Sequence, residues 1–306
     1  MAYGQQLIVW LSDQFLYFCT LIYAMTSHLL IDAGSTKTAF SLLAGGKVLM
    51  QAEGRGINPN YCSEADILQV FADFVPQCPA GAVVGEIDYY GSGCAAPRNA
   101  AFMQELIARF FPQAHIRVFS DLMAVCHALS RGRRAVVAIL GTGAAACLFN
   151  GTGIERMAPS LGYMLGDEGS GTHLGKQLLI AYLRGALPQQ LARELEQEYQ
   201  LSAVTAIHRV YREPEPNRFM SSLAPFVREH GDQPFIREMA LNAFRDFFAK
   251  NKCHFEESDL PWHLSGSVAY HFRDLVREAA AHQHCPVGDI VAAPMEKLIE
   301  YHKTLP

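Results

Sequence analysis

The segment Asp32-Ala33-Gly34-Ser35-Thr36-Lys37-Thr38 places a carboxylate, small residues, hydroxyls and a lysine in one turn between two apolar runs. Small residues let main-chain N–H groups and hydroxyls approach phosphate oxygens, and Lys37 adds positive charge. Asp32, ending an apolar strand, can hold a magnesium ion through water, because magnesium takes few carboxylates and keeps its waters. Taken alone, the segment is equally a tight hairpin with a capping Asp. Gly141-Thr142-Gly143 follows a second apolar run further along. Alone it reads as a turn, but two such turns at matching places of a repeated unit would clamp a polyphosphate from both sides. A third small-residue turn, Leu264-Ser265-Gly266-Ser267, runs a strand into a helix. There Gly266 would admit a flat ring and Ser267 would cap the helix, although structural demands explain the turn as well. Asp121 stands where an apolar strand gives way to a helix. Phosphoryl transfer needs a placed carboxylate to take the proton of the attacking hydroxyl. An Asp in the first turn of a helix with Ser120 as N-cap is the other reading.

These residues need strands to end beside them. From residue 29 the chain reads strand, Gly-rich turn, strand, Gly-Gly turn, strand. Helical periodicity at 65–75, 100–111 and 122–130 then alternates with short strands at 86–90 and 115–119, an α/β layer pattern. The opening recurs from Ala135: strand, Gly turn, strand, Asn-Gly turn, strand. That duplication implies two similar α/β domains facing each other across a cleft, where ligands bind. The second half turns helical over 170–249, with breaks at Pro188 and Pro214 to Pro216, before a strand at 262–267, a helix at 268–280 and a closing helix at 295–302. The expected domains are 26–129, joined by the C-terminal stretch 290–306, and 130–289 with its helical insertion.

At 306 residues and half apolar, the chain is long enough for two domains. Its formal charge of -5, with both signs mixed, offers no footprint for nucleic acid or an anionic membrane. Small-molecule partners are expected, and a homodimer is left open. Eight cysteines without a CxxC pair fit neither zinc nor a disulfide framework and point to the reducing cytoplasm. Cys126 and Cys147 read as small buried hydrophobes. The histidines show no metal-ligand spacing and read as ordinary core or surface residues. Residues 7–25 are apolar but lack a basic n-region and a cleavage site, so 1–24 is expected to be a non-native leader.

The three small-residue turns, in this order, resemble the phosphate-1, phosphate-2 and adenosine motifs of the actin, hexokinase and heat-shock-chaperone ATPase superfamily. Residues 161–176, LGYMLGDEGSGTHLGK, are similar to the MGDEGS signature of the N-acetylglucosamine kinase and BadF/BadG/BcrA/BcrD ATPase group. The resemblance covers Met25 to the C-terminus. It implies two ribonuclease-H-like domains flanking a nucleotide cleft, with ATP and Mg²⁺ as cofactors. It also implies that Gly34, Ser35, Thr36, Lys37, Gly141, Thr142, Gly143, Gly266 and Ser267 bind nucleotide and that Asp32 holds the metal. Asp121 matches the general base, and Asn58 and Asp167 match positions that bind sugar hydroxyls. The residues themselves allow other roles: an Asn-Pro turn for Asn58, and a solvated, helix-capping turn for Asp167 and Glu168. The implied reaction is phosphorylation of an amino sugar, N-acetylglucosamine to its 6-phosphate, with N-acetylmuramic acid and glucosamine as alternatives. Leu161 replaces the tryptophan of the mammalian kinase, and the stretch Gly91 to Cys94 departs from its sugar loop. The group's other activity, the ATPase activator of 2-hydroxyacyl-CoA dehydratases, needs cysteine ligands for an iron–sulfur cluster, and no cysteine stands in a matching context. A sugar-sensing repressor would need a helix-turn-helix that residues 1–24 are too short and apolar to form.

Overall fold

Leu29, Leu30 and Ile31 have no solvent exposure, as a strand covered on both faces requires, and their continuous apolar run is the signature of such a strand. They belong to β1 (Thr26–Ala33), the centre of a sheet with β2 (Lys37–Ala44), β3 (Lys47–Arg55), β4 (Val83–Gly91) and β5 (His115–Ser120) in the order β3-β2-β1-β4-β5. The computed structural model describes residues 26–255 and 259–305; the leader expected at 1–24 lies outside them. Strands β1 to β3 are antiparallel, while β4 and β5 run parallel to β1. The Gly45-Gly46 hairpin has φ of 55° and 72°, both in the left-handed region that suits a two-residue turn between twisted strands. Helix Glu64–Phe74 starts in a Ser63/Asp66 capping box, and helix Pro97–Ala108 has its proline in the first turn, where no amide partner is lost. Their faces carry Ile67, Phe71, Phe74, Met103, Leu106 and Ile107 into one core with Phe40.

The second sheet repeats the plan. It holds β6 (Ala135–Leu140), β7 (Ala144–Phe149), β8 (Ile154–Met157), β9 (Trp262–Ser265) and β10 (Val287–Val291) in the order β10-β9-β6-β7-β8. Again the first three are antiparallel and the last two parallel to the first. Among the described residues, a short helix, Gly162–Leu165, and six more from Gly171–Leu183 to Pro234–Lys252 lie between β8 and β9 and form the insertion. Phe247, Phe248 and Phe255 ring Trp262 edge-on and join the insertion to the sheet. Pro188, Pro216 and Pro234 stand at helix starts, which is why the sequence breaks there.

The first compact unit runs to Ala124 and includes the chain from His302; the second is Val125–Tyr301. Residues 290 and 291, expected to join the first domain, are instead paired with β9 in the second sheet. The helix expected over 268–280 is two, Ser267–His271 and Arg273–His282, because Phe272 between them leaves helical geometry.

Candidate active site

Ala33 lies opposite Gly91, and Gly91 opposite Ser120, so the parallel strands β1, β4 and β5 end side by side. Ligands of parallel sheets bind beyond these carboxyl ends. Here the ends gather Asp32, Ser92 and Asp121. The Ser92 amide donates to the Ala33 carbonyl at 2.9 Å, and its hydroxyl donates to Asp121 Oδ2 at 2.8 Å. The Leu122 amide donates to Asp121 Oδ1 at 2.9 Å. Ser120 Oγ accepts from the Met123 amide at 3.3 Å, so Ser120 supplies the expected cap while the Asp121 carboxylate meets Ser92.

Burial raises the Asp121 carboxyl above its ordinary value, and the bonds from Ser92 and Leu122 draw it part of the way back. Asp32 is pushed up to about 7 by burial, with the Asp121 charge adding to the rise and Lys37 opposing it. Lys37 itself pairs with Glu53 on β3 and is half-exposed. Two buried carboxyl groups thus lie near enough for the charge of Asp121 to act on Asp32. The folded value of Asp32 stands above its unfolded 3.8, so the native state holds the proton more tightly and stability falls as pH rises from about 4 to about 7. Asp32→Asn removes that loss. In metal-free buffer, calorimetry should find the variant melting above wild type near pH 8 and level with it near pH 4. A variant melting lower at the higher pH would overturn this account of the charge.

The first turn is closed by its neighbours: Gly34 N donates to Lys37 O at 2.9 Å, Gly56 N to Thr36 O at 3.1 Å and Ile57 N to Gly34 O at 3.1 Å. A Cβ on Gly56 would stand 2.4 Å from the Ser35 backbone, so only glycine lets this segment lie against the turn. Asn58, buried, donates from Nδ2 to Ser35 Oγ at 3.2 Å. Its Oδ1 accepts from the Asn60 amide at 3.0 Å, the Asn turn expected as its alternative. The same side chain thus makes the turn and reaches the first small-residue turn.

In the second unit, Gly141 N donates to Gly143 O at 3.0 Å, and Gly171 N donates to Gly141 O at 2.8 Å. Thr172 Oγ1 donates to Thr142 O at 2.7 Å. Asp167 has φ 57° and turns its carboxylate onto this turn: it accepts from the Ala144 amide, and a Cβ on Gly143 would stand 3.1 Å from its Oδ2. Burial raises the Asp167 carboxyl, the Ala144 bond opposing. Capping of the following helix falls to Ser170, which accepts from the His173 amide at 3.1 Å. Glu168 pairs with Lys250 at 2.7 Å. Gly266 has φ 121°, and a Cβ there would stand 2.2 Å from the Leu140 carbonyl oxygen, so its freedom admits the end of β6 close by. Ser267 makes no side-chain cap, contrary to expectation, because Gly266 takes the cap position of the five-residue helix.

The first unit therefore brings together Asp32, Gly34, Ser35, Thr36, Lys37, Asn58 and Asp121, and the second Gly141, Thr142, Gly143, Asp167, Gly266 and Ser267. Ser92 and Gly56 were missed in the sequence, where only strand register would have found them. A further group was missed because its members are far apart in the chain. His28 Nε2 lies 2.8 Å and His302 Nδ1 3.5 Å from Asp88 Oδ2. Arg117 takes both Asp88 oxygens, Nε on Oδ1 at 2.5 Å and Nη2 on Oδ2 at 2.8 Å. Burial would raise Asp88, but His28 and Arg117, with His302 near, hold it well below the carboxylate range. With the guanidinium on both oxygens, this is an ion-pair network anchoring the chain's last residues to β4. Cys126 and Cys147 are buried, with sulfurs 3.7 Å apart, as small hydrophobes. Among the described residues, no helix is long and apolar enough to cross a membrane.

No family model matches the sequence, and no curated protein matches it. Among solved structures, a Porphyromonas gingivalis protein provisionally described as an N-acetylglucosamine kinase is 34% identical, over 90% of this chain and 98% of that one, with a TM-score of 0.83. A Chromobacterium violaceum protein of the same provisional description is 19% identical, over 91% and 99%, with a TM-score of 0.72. A ROK-family glucokinase from Streptomyces griseus, solved with glucose and AMPPNP, shares the fold at 14% identity, 90% and 97% coverage and a TM-score of 0.54.

Proposed function

We infer the reaction from the family to which this chain belongs, the N-acetylglucosamine kinase-like group of the BadF/BadG/BcrA/BcrD ATPases, with two ribonuclease-H-like domains: it is an ATP-dependent sugar kinase. The finer reading is transfer of the γ-phosphoryl group to an amino sugar, N-acetylglucosamine at its 6-hydroxyl. The observation that carries it is the Asp121 carboxylate at the ends of β1, β4 and β5, held by Ser92 at 2.8 Å.

The residues fit the cofactors. The excess negative charge at Asp32 and Asp121 suits a divalent cation, which Asp32 would hold through water. Open space stands over Gly141 where a side chain would be, so a phosphate can approach this turn closely. Gly34, Ser35, Thr36, Thr142 and Gly143 would add amides and hydroxyls, and Gly266 with Ser267 would border the adenosine. Lys37 would have to exchange Glu53 for a phosphate. When bound, Mg²⁺·ATP supplies the activated phosphoryl group and neutralises the charge that develops on it. Asp121, raised by burial with the Ser92 and Leu122 bonds opposing the rise, takes the proton of the attacking hydroxyl. Asn58 and Asp167 hold the other hydroxyls.

The test is a coupled ADP-release assay against N-acetylglucosamine, N-acetylmuramic acid, glucosamine and glucose. Sugar-dependent release with N-acetylglucosamine foremost supports the reading, and release indifferent to sugar overturns it. Asp167→Ala should raise the sugar KM about 10-fold or more, since a carboxylate's bonds to hydroxyls contribute about 1.5–3 kcal/mol. ATP affinity by calorimetry should stay within about 3-fold of wild type. An unchanged sugar KM would remove Asp167 from the site.

A further inference from the structure

Gly91 and Gly93 flank Ser92, and neither tolerates a side chain. A Cβ on Gly91 would stand 2.3 Å from the Tyr89 ring, and one on Gly93, at φ 81°, 2.6 Å from Asn58 Oδ1. The turn is fixed from both sides. Ser92 N is bound to Ala33 O at 2.9 Å and Cys94 N to Gly91 O at 3.1 Å, while Asn99 Nδ2 donates to Gly93 O at 2.8 Å. Asn99 also donates to Asn60 Oδ1 at 2.8 Å, and Asn60 is bound to Asn58. The hydroxyl of Ser92 is thus placed by backbone and by an asparagine chain that reaches the first small-residue turn, and it points at Asp121 Oδ2.

We propose that Ser92 is a positioning residue for Asp121, holding the carboxylate in one orientation so that its free lone pairs face the acceptor hydroxyl. With the Leu122 amide on Oδ1, Ser92 completes a pair of donors, one on each oxygen. A carboxylate held by one donor alone can swing about its Cβ–Cγ bond, and reacting groups displaced by small distances react far more slowly. Asn99 and Gly93 serve the same end at one remove. The proposal rests on Asp121 being the general base, and the experiment separates the two.

Steady-state rates are measured with Mg²⁺·ATP and N-acetylglucosamine, together with the slow hydrolysis of ATP, in which water stands in for the sugar hydroxyl. Ser92→Ala should lower kcat about 10- to 100-fold, the range for a hydrogen bond to a charged group, in whichever of the two reactions the enzyme performs. Both KM values should stay within about 3-fold. Ser92→Thr, which keeps the hydroxyl, should recover turnover to within about 3-fold of wild type. In an Asp121→Asn background, Ser92→Ala should lower kcat by less than about 2-fold, because the two act as one unit. Wild-type turnover in Ser92→Ala beside an inactive Asp121→Asn overturns the role of Ser92 and leaves the base standing. Wild-type turnover in Asp121→Asn overturns the base and this proposal with it. Equal losses from Ser92→Ala in both backgrounds, or a joint fall of rate and melting temperature in Ser92→Ala and Ser92→Thr, reduces Ser92 to a structural residue and overturns the proposal.

Discussion

Asp121→Asn should lower kcat about 10²- to 10³-fold, the range for losing a general base, while calorimetric ATP affinity stays within about 3-fold. The asparagine keeps the size and shape of the side chain, and its carbonyl oxygen can still accept from Ser92 or from Leu122, the two donors now on the carboxylate. What it loses is the capacity to take a proton. The fold should not suffer, because burial already disfavours the charge at this position and the Asp32 carboxyl feels that charge as repulsion. The melting temperature near pH 8 should therefore match or exceed that of wild type. This separates a chemical role from a helix-start role. A residue kept for the first helical turn contributes about 1 kcal/mol of stability and leaves turnover alone. Turnover within about 3-fold of wild type would remove Asp121 from the chemistry.

The strands around Asp121 were readable because their signal is local. The apolar run into Asp32, the Gly45-Gly46 hairpin and the recurrence of strand, Gly turn and strand from Ala135 give both sheet centres directly. β10 was not readable: Val287–Val291 is five residues long and carries Gly288 and Asp289, and only the duplication, which demands a counterpart to β5, could have called for it. Asp121 was visible as a strand-to-helix carboxylate. Ser92 was not, since its role depends on the Ala33–Gly91–Ser120 register, which no single segment encodes. The partner of Lys37 was hidden for a related reason: on β2, opposite Arg55, it reaches diagonally to Glu53 of its antiparallel neighbour, a cross-strand pairing that the turn motif cannot anticipate. The Asp88 network shows the same limit at its widest, joining His28 on β1 to His302 near the chain's end.

Gly266→Ala should be the most damaging single-methyl change at the site. At φ 121° and ψ 155°, Gly266 occupies a region essentially open to glycine alone, where another residue costs about 1–3 kcal/mol. The added Cβ would also stand 2.2 Å from the Leu140 carbonyl oxygen and 3.2 Å from the Gly141 amide nitrogen. Relieving such overpacking costs a further 1–3 kcal/mol or so, because the obstacle is backbone at the end of β6, with no rotamer to move aside. Together the two effects should lower the melting temperature by about 5–20 °C for a chain of this size. Gly153→Ala is the control: no atom lies within 4 Å of its Cβ position and its φ is not positive, so it should melt within about 2 °C of wild type. The displaced turn would push on Gly141, which opens the turn assigned to phosphate. ATP affinity, measured well below the melting transition, should thus fall about 10-fold or more. A melting temperature close to wild type would show that the β6 end yields freely. A large fall in melting temperature with unchanged ATP affinity would confine Gly266 to joining β9 and β6, and would withdraw this turn from the adenosine site.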